Sequence, residues 1–582
     1  GDDAIETTGA VTLRSATAET IRIGGTDDSN ADDNLDLSEA ELQEINATDL
    51  IIGGGGVLTT AVSLDTSIDL SGVANLAAVL IRSNGAIDNS NAANLLDLGS
   101  DDLVLRAGGN IGATNTFRIE VGEVSAVTTG GLINLAEATN ALSLGSIDVF
   151  DPDTGSTVTF NNTSATSALT IKATSELTVA ATGGVVSTSG AGAKIQLDAG
   201  TSISVQNSIT SNGGEIELNA NTDITLTNAS AVITSFTGAD AGLIDINADA
   251  DSNNSGEFSI SNASGRLNTD SANDANVEIS AASVVLTGSI TAGDGTVTII
   301  TNSGGIAASS GSITTTASGS VELNSAGSIT DDAGNDETTD ITTGTLTITA
   351  ATSVGVDADD AFNISADTLT ITATTGNVFL TEANGLGLGT LNTAANALNI
   401  RAITGDLTDD TSDITAGDLT LTVSDTDAAI GASGIDIAVT LSGTLTASAA
   451  NGAGGIFISE TGDMSIASVA SGTGDVELTS DGAIDEATDD ASDKIATSGA
   501  LTLTAGTSIG NTGGGTEALD TSATDVTLIV GTSFGVASSG DLSDLSIFSD
   551  QTGETNTYEF AASNLTFTVT DAGTAYSISN VS

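Results

Sequence analysis

Apolar residues recur along this chain in pairs separated by one polar residue, and the runs end in Gly, Ala-Ser or Asn. Ile195-Gln-Leu197, Ile216-Glu-Leu218, Ile224-Thr-Leu226, Val277-Glu-Ile279, Val321-Glu-Leu323, Leu369-Thr-Ile371, Leu419-Thr-Leu421, Val476-Glu-Leu478 and Leu501-Thr-Leu503 are examples. A period of two predicts short strands with one face in a core and the other in water. A second mark follows many of them: Gly or Ser, then a lone aliphatic, as at Ile329, Ile484 and Ile509. Along Leu398, Leu419, Ile435, Ile456 and Val476 the steps are 21, 16, 21 and 20 residues, and the steps to Leu501 and Val526 are 25 each. The spacing predicts a unit of 20 to 25 residues, with two or three short strands joined by turns of variable length.

One such unit cannot bury its own apolar face, but stacked units can. The expected fold is therefore all-β: a parallel β-helix (solenoid) with Val, Ile, Leu and Ala inside and Thr, Ser, Asp and Asn outside. Thr suits an exposed strand face, and Gly and Asn supply the backbone angles of corners. At about 22 residues per coil and about 4.8 Å between strands, the chain would extend roughly 120–130 Å. A string of antiparallel sandwiches is the rival, and the short strands and lack of Pro-rich linkers weigh against it.

"LDLSEAELQEINATDLIIGG" (Leu35 to Gly54) breaks the pattern. Ser38 is a natural N-cap, Glu41 completes a capping box, and Leu37 and Leu42 occupy the staple positions. Good helix formers follow, Asn46 can end the helix, and the chain then returns to strand. The prediction is one short helix near 38–46 inserted among strands. The same stretch resembles a segment of filamentous-haemagglutinin-type large secreted bacterial exoproteins, in which an "LS-x-AEL-x-x-I-x-A-x-x-L-x-I-G" pattern interrupts β-helical repeats. "AANLLDLGSDDLVLRAGGNIG" (Ala92 to Gly112) is similar to the same proteins. The resemblance implies a right-handed β-helix, secretion of the two-partner type, and an adhesin or fibre role at a cell surface. That family's amino-terminal secretion domain, with its Asn-Pro motifs, is not visible here, which implies its removal or another secretion route.

Charge narrows the partners. Ten Lys and Arg stand against 77 Asp and Glu, a net charge of −67. Nucleic acid is excluded as an expected partner because its binding rests on cations at phosphate, and anionic membrane surfaces for the same reason. Cysteine and histidine are absent, so there are no disulfides, thiolate sites or imidazole bases. Apolar residues make up 39% of the chain, enough for a core, but aromatics only 2%. No apolar run is long enough to span a membrane as a helix. The start, "GDDAIETTGA", does not read as a signal peptide, so any such leader is expected to have been removed or to lie upstream.

Candidate sites are few. Asp28, Asn30 and Asp32 have the 1, 3, 5 spacing of a calcium loop, with Asn34, Asp36 and Glu39 at 7, 9 and 12. Asp33 occupies the position where such loops carry Gly. Asp249, Asp251 and Asn253 repeat the spacing, followed by Glu257. Each cluster reads either as a calcium site or as a solvated acidic turn. The Thr-x-Thr pairs of "TLTIT" (Thr345 to Thr349, Thr368 to Thr372) fit ordinary outward positions, with an ice-binding array as the rival. No catalytic residue stands out, and an enzyme acting on polysaccharide is the least favoured class.

The carboxyl end differs from the rest. Both tyrosines, Tyr558 and Tyr576, and four of the twelve phenylalanines, Phe534, Phe548, Phe560 and Phe567, fall in the last 49 residues, near strands such as "NLTFTVT". Residues 1–545 are therefore read as repeats, and 546–582 as a terminal β cap or an assembly element that pairs with a neighbour by strand addition. The function expected is that of an extracellular structural protein. Its subunits would associate head to tail with copies of themselves, or it would serve as an adhesin stalk that meets cell-surface glycans.

Overall fold

The computed structural model describes residues 5–25, 34–54, 59–331, 338–410, 413–488, 492–510, 519–523, 525–530, 533–541, 544–549, 557–561 and 567–569, with backbone alone from 530 onwards. The fold is an all-β parallel solenoid of about 19 turns. It divides into two compact units. The first is Gly1–Gly304 with Ser310–Thr315, and the second is Gly305–Ser309 with Thr316–Ser582.

In the first unit each alternating triplet becomes the centre of a strand whose apolar members point inward. Ile195–Ala199 is typical: Ile195, Leu197 and Ala199 are buried, while Gln196 and Asp198 are half-buried on the outer face. Like residues stack from coil to coil. Ile133, Leu169, Ile195, Ile216, Ile244, Val277 and Val297 form one parallel column. Ile203, Ile224, Phe258 and Val284 form a second. Ile209, Ile233, Leu267, Ile290 and Ile313 form a third. Each coil thus supplies three strands, and burial of each Ile or Leu contributes about 1.5–3 kcal/mol.

The steps in the first column are 36, 26, 21, 28, 33 and 20 residues. The expected 20 to 25 therefore holds only for the leanest coils. The strands stay in register, and the excess is carried by the turns.

The second unit repeats the plan with columns Ile329–Val354–Val378–Leu398–Leu419–Leu445–Ile466 and Leu386–Leu407–Ile430–Ile456–Val476–Leu501–Val526. This corrects the sequence spacing, which ran Leu398, Leu419, Ile435, Ile456 and Val476 as one series. Those residues belong to two columns, and Ile430 stands where Ile435 was expected. Ile435 is 60% exposed and bridges back to Ala432. The cause is Gly431, at φ +72°, where the chain leaves the coil. A Cβ there would lie 2.4 Å from the Phe457 carbonyl oxygen of the next coil. Gly355 makes the same exit at φ +70°, with the Phe379 carbonyl oxygen 2.5 Å from where its Cβ would be.

The helix forms as its caps dictate. α1 (Glu39–Gln43) has Ser38 as N-cap and a complete capping box with Glu41, and Leu42 is buried. It is shorter than the 38–46 expected. Glu44 is its C-cap, and Ile45–Asn46 is a strand paired in parallel with Ile5–Glu6. Beyond residue 530 the backbone continues the parallel register: Asp544–Ser549 pairs with Asp525–Val530, and Phe567–Val569 pairs with Asp544–Ser549.

One hairpin departs from the solenoid. Ile147–Asp151 and Ser156–Phe160 pair antiparallel around a turn that contains Pro152. Strands Asp49–Gly53, Ala78–Ser83 and Asp102–Ala107 carry apolar side chains on both faces, so Ile51, Leu80 and Val104 stack in register pointing outward. The hairpin lays Ile147, Val149 and Phe160 over them, and all six are buried in one cluster.

Candidate functional site

The predicted calcium ligands are dispersed where the structure describes them. Asp28, Asn30 and Asp32 lie outside the described residues. Glu39 sits in the first turn of α1 and accepts a hydrogen bond from Gln43 Nε2 at 2.9 Å. Asp249 is buried, and its carboxylate accepts the Asn254 amide at 3.1 Å and Asn302 Nδ2 at 3.4 Å. Ser252 and Asn254 both have positive φ, which turns this loop so that Asp249 braces it from beneath. Asp251 instead accepts Asn253 Nδ2 at 2.8 Å on the exposed side, and Glu257 accepts Ser283 Oγ at 3.4 Å. Among the described residues no group of three or more His, Cys, Asp or Glu is arranged to hold a metal ion.

Of the proposed assembly residues, Tyr558 and Phe560 lie on strand Thr557–Ala561, and Phe567 begins strand Phe567–Val569. Their side chains, and all of Tyr576, lie outside the described residues. The two Thr-x-Thr stretches are brought together: Thr345, Thr347 and Thr349 pair with Thr368, Thr370 and Thr372 on adjacent coils. Beside α1 an open cleft of about 620 Å³ is lined by Glu6, Glu44, Asp69, Asn46 and Val73. Hydrogen bonds from the Ser71 hydroxyl and amide hold the Asp69 carboxyl below the usual range.

The outer faces are acidic ladders with sparse cations. Glu217, Asp245 and Glu278 stack on successive coils. Burial, and then the two neighbouring carboxylates, push the Asp245 carboxyl up. Lys194 pairs with Glu215 at 3.2 Å and with Glu217, and Lys172 pairs with Asp198 at 3.0 Å. At this exposure such pairs contribute little to stability.

Two features of the structure escaped sequence analysis. The hairpin is fastened by polar contacts as well as by its core. Arg82 pairs with Asp151 at 3.0 Å and Asp153 at 2.7 Å. The Phe150 amide donates to Asp49 Oδ2 at 2.9 Å. The Arg106 guanidinium lies 5.1 Å from the centre of the Phe160 ring. Its signal in the sequence was available: "DPDTG" between two alternating runs, and unbroken apolar runs in "LII", "AVLI" and "LVL" where other strands alternate.

The second is a set of buried glutamates at coil corners. Glu137, Glu382 and Glu460 each close a five-residue strand, at a position that is Ala199, Ala220, Ala402 or Ser480 in other coils. All three are buried. Burial pushes the Glu137 and Glu382 carboxyls up to about 7 and raises that of Glu460.

No helix among the described residues is long and apolar enough to cross a membrane. No protein-family model, curated protein or solved structure matches the chain.

Proposed function

We propose that the chain is a structural scaffold, a β-solenoid segment of an extracellular fibre or surface protein, and not an enzyme. The observation that carries this is how the ionisable groups are used. Among the described residues, buried Asp and Glu side chains such as Asp249 and Glu382 brace turns and corners through backbone amides, while outward ones form repetitive ladders. The absence of His and Cys from the sequence supports the same conclusion. A solenoid of repeated coils is suited to setting distance and presenting surface.

Within that class, self-association head to tail is the favoured mode. Every coil edge is a row of parallel-pairing N–H and C=O groups, and such a contact between copies does not close on itself. The resemblance of Leu35 to Gly54 to filamentous-haemagglutinin-type exoproteins points to the same class and to secretion.

The test is negative-stain electron microscopy of the purified chain across a concentration series, with calcium and again with a chelator. Uniform filaments that lengthen with concentration support the filament reading. Their loss in chelator would add calcium as a cofactor of assembly. Single particles at every concentration would refute self-association and leave the adhesin stalk, for which glycan-array binding is the next measurement. Turnover of any polysaccharide by the pure chain would refute the scaffold proposal.

A further inference from the structure

The three corner glutamates share one geometry. Glu137 stacks on Ile119 of the preceding coil, Glu382 on Ile364 and Glu460 on Val439. The residue after each glutamate donates the last ladder hydrogen bond: Ala138 to the Ile119 carbonyl, Ala383 to that of Ile364, and Thr461 to that of Val439. The next coil then turns away. Two residues past the stacked position, the preceding coil presents an amide that would meet a carbonyl if the ladder continued, and at Glu382 and Glu460 the glutamate takes it instead. The Ala366 amide donates to Glu382 Oε2 at 3.1 Å, and the Leu441 amide to Glu460 Oε1 at 2.9 Å. Glu137 occupies the same stacked position, but neither of its carboxyl oxygens has a hydrogen-bond partner. The Glu382 carboxyl also accepts the Asn384 amide ahead of it at 2.9 Å.

Where the ladder stops early, a glutamate side chain completes it. An acid does this at the cost of a buried charge. The charged neighbours that act on the three are Glu120, Asp367 and Asp463, all carboxylates that oppose ionisation. A neutral carboxyl still accepts from an amide through its carbonyl oxygen and avoids both the burial cost and the repulsion.

We propose that these corners form an acid-set seam, in which Glu382 and Glu460 clamp adjacent coils through the Ala366 and Leu441 amides when protonated and release them locally when ionised. The device is a local pH switch built into the ladder and is independent of how the chain assembles. Rising pH also increases repulsion across the whole acidic surface, but that acts on every coil. Corners closed by Ala199 and Ala220 are therefore an internal reference.

The experiment is hydrogen-exchange mass spectrometry of the full chain from pH 5 to 8, with rates corrected for intrinsic base catalysis. Peptides containing Ala366 should lose protection on the order of 100-fold more than the Ala199 and Ala220 corners. Peptides containing Leu441 should move in the same direction. Glu382→Gln and Glu460→Gln keep an acceptor without the titration and should remove the excess at their own corners only. Equal pH dependence at glutamate and alanine corners of the wild-type chain would overturn the proposal, whether or not the variants fold. Retention of the wild-type slope in a folded Gln variant would also overturn it.

Discussion

The hairpin of residues 147–160 offers the sharpest test of how the first unit is held together, and Phe160→Ala is the perturbation to make. Phe160 is 8% exposed and belongs to the cluster formed with Ile51, Leu80, Val104, Ile147 and Val149. Truncating a buried Phe to Ala costs about 3–5 kcal/mol, and the rim position favours the low end. Loss of the Arg106 contact adds about 0.5–1 kcal/mol, for a total of about 4 kcal/mol. The solenoid beneath does not need the hairpin to close its own ladders, so the loss should fall on the hairpin as a local opening unit. At about 1.4 kcal/mol per decade, amides of the strands Ile147–Asp151 and Ser156–Phe160 should exchange at least 100-fold faster. Those of Ile195–Ala199 should keep their wild-type rates. A hydrophobic dye should bind the variant more strongly, because Ile51, Leu80 and Val104 become transiently exposed. Unchanged exchange in the hairpin would show that the apolar cluster does not hold it. Equal acceleration in Ile195–Ala199 would show that the hairpin is not a separate unit.

Other substitutions separate the remaining claims. Gly355→Ala and Gly431→Ala should each lower stability by at least about 1–2 kcal/mol in urea titrations, from positive φ together with the clash at the next coil's carbonyl. Gly192→Ala, at φ +70° with open space around it, should show only the conformational part. Leu218→Ala, within an unbroken column, should cost about 2–5 kcal/mol, whereas Ile435→Ser at its exposed turn should stay within about 0.5 kcal/mol. The Glu382 carboxyl sits at about 7 in the folded chain against 4.5 for an ordinary Glu. Its contribution to stability is therefore complete below about 4.5 and is lost as the pH rises through about 7. Glu382→Gln should then melt higher than wild type at pH 8, and lose that advantage at pH 4.5.

Much of the fold was legible because the strand signal is local. The triplets from Ile195-Gln-Leu197 to Leu501-Thr-Leu503 become strands with the predicted faces inward, and Ser38 with Glu41 marks the start of α1. What was not legible depends on pairing between residues one coil apart. Nothing near Ile435 distinguishes it from Ile430 until Gly431 is seen to exit the coil beneath Phe457. The 1, 3, 5 spacing of Asp249, Asp251 and Asn253 counts residues but not directions: Asp249 is buried and accepts the Asn254 amide, whereas Asp251 stays on the exposed side. Glu137, Glu382 and Glu460 continue the inward phase of Ile133-Asn-Leu135, Val378-Phe-Leu380 and Ile456-Phe-Ile458, but at a strand end an acid reads equally as the start of an outward turn. Only the stacking on Ile119, Ile364 and Val439 shows that they face an amide left without a carbonyl.

The uneven steps of the first column, from 20 to 36 residues, separate two quantities that most folds tie together. The rise from one coil to the next is set by backbone pairing and stays constant, whereas the girth of each coil is free. New segments can therefore be spliced into the turns between Ile216 and Ile244 or between Ile244 and Val277 without disturbing the neighbours' register. Variation in such a protein can widen or trim individual storeys, and the hairpin of residues 147–160, lodged within the longest step, shows how much new surface one widened storey can carry.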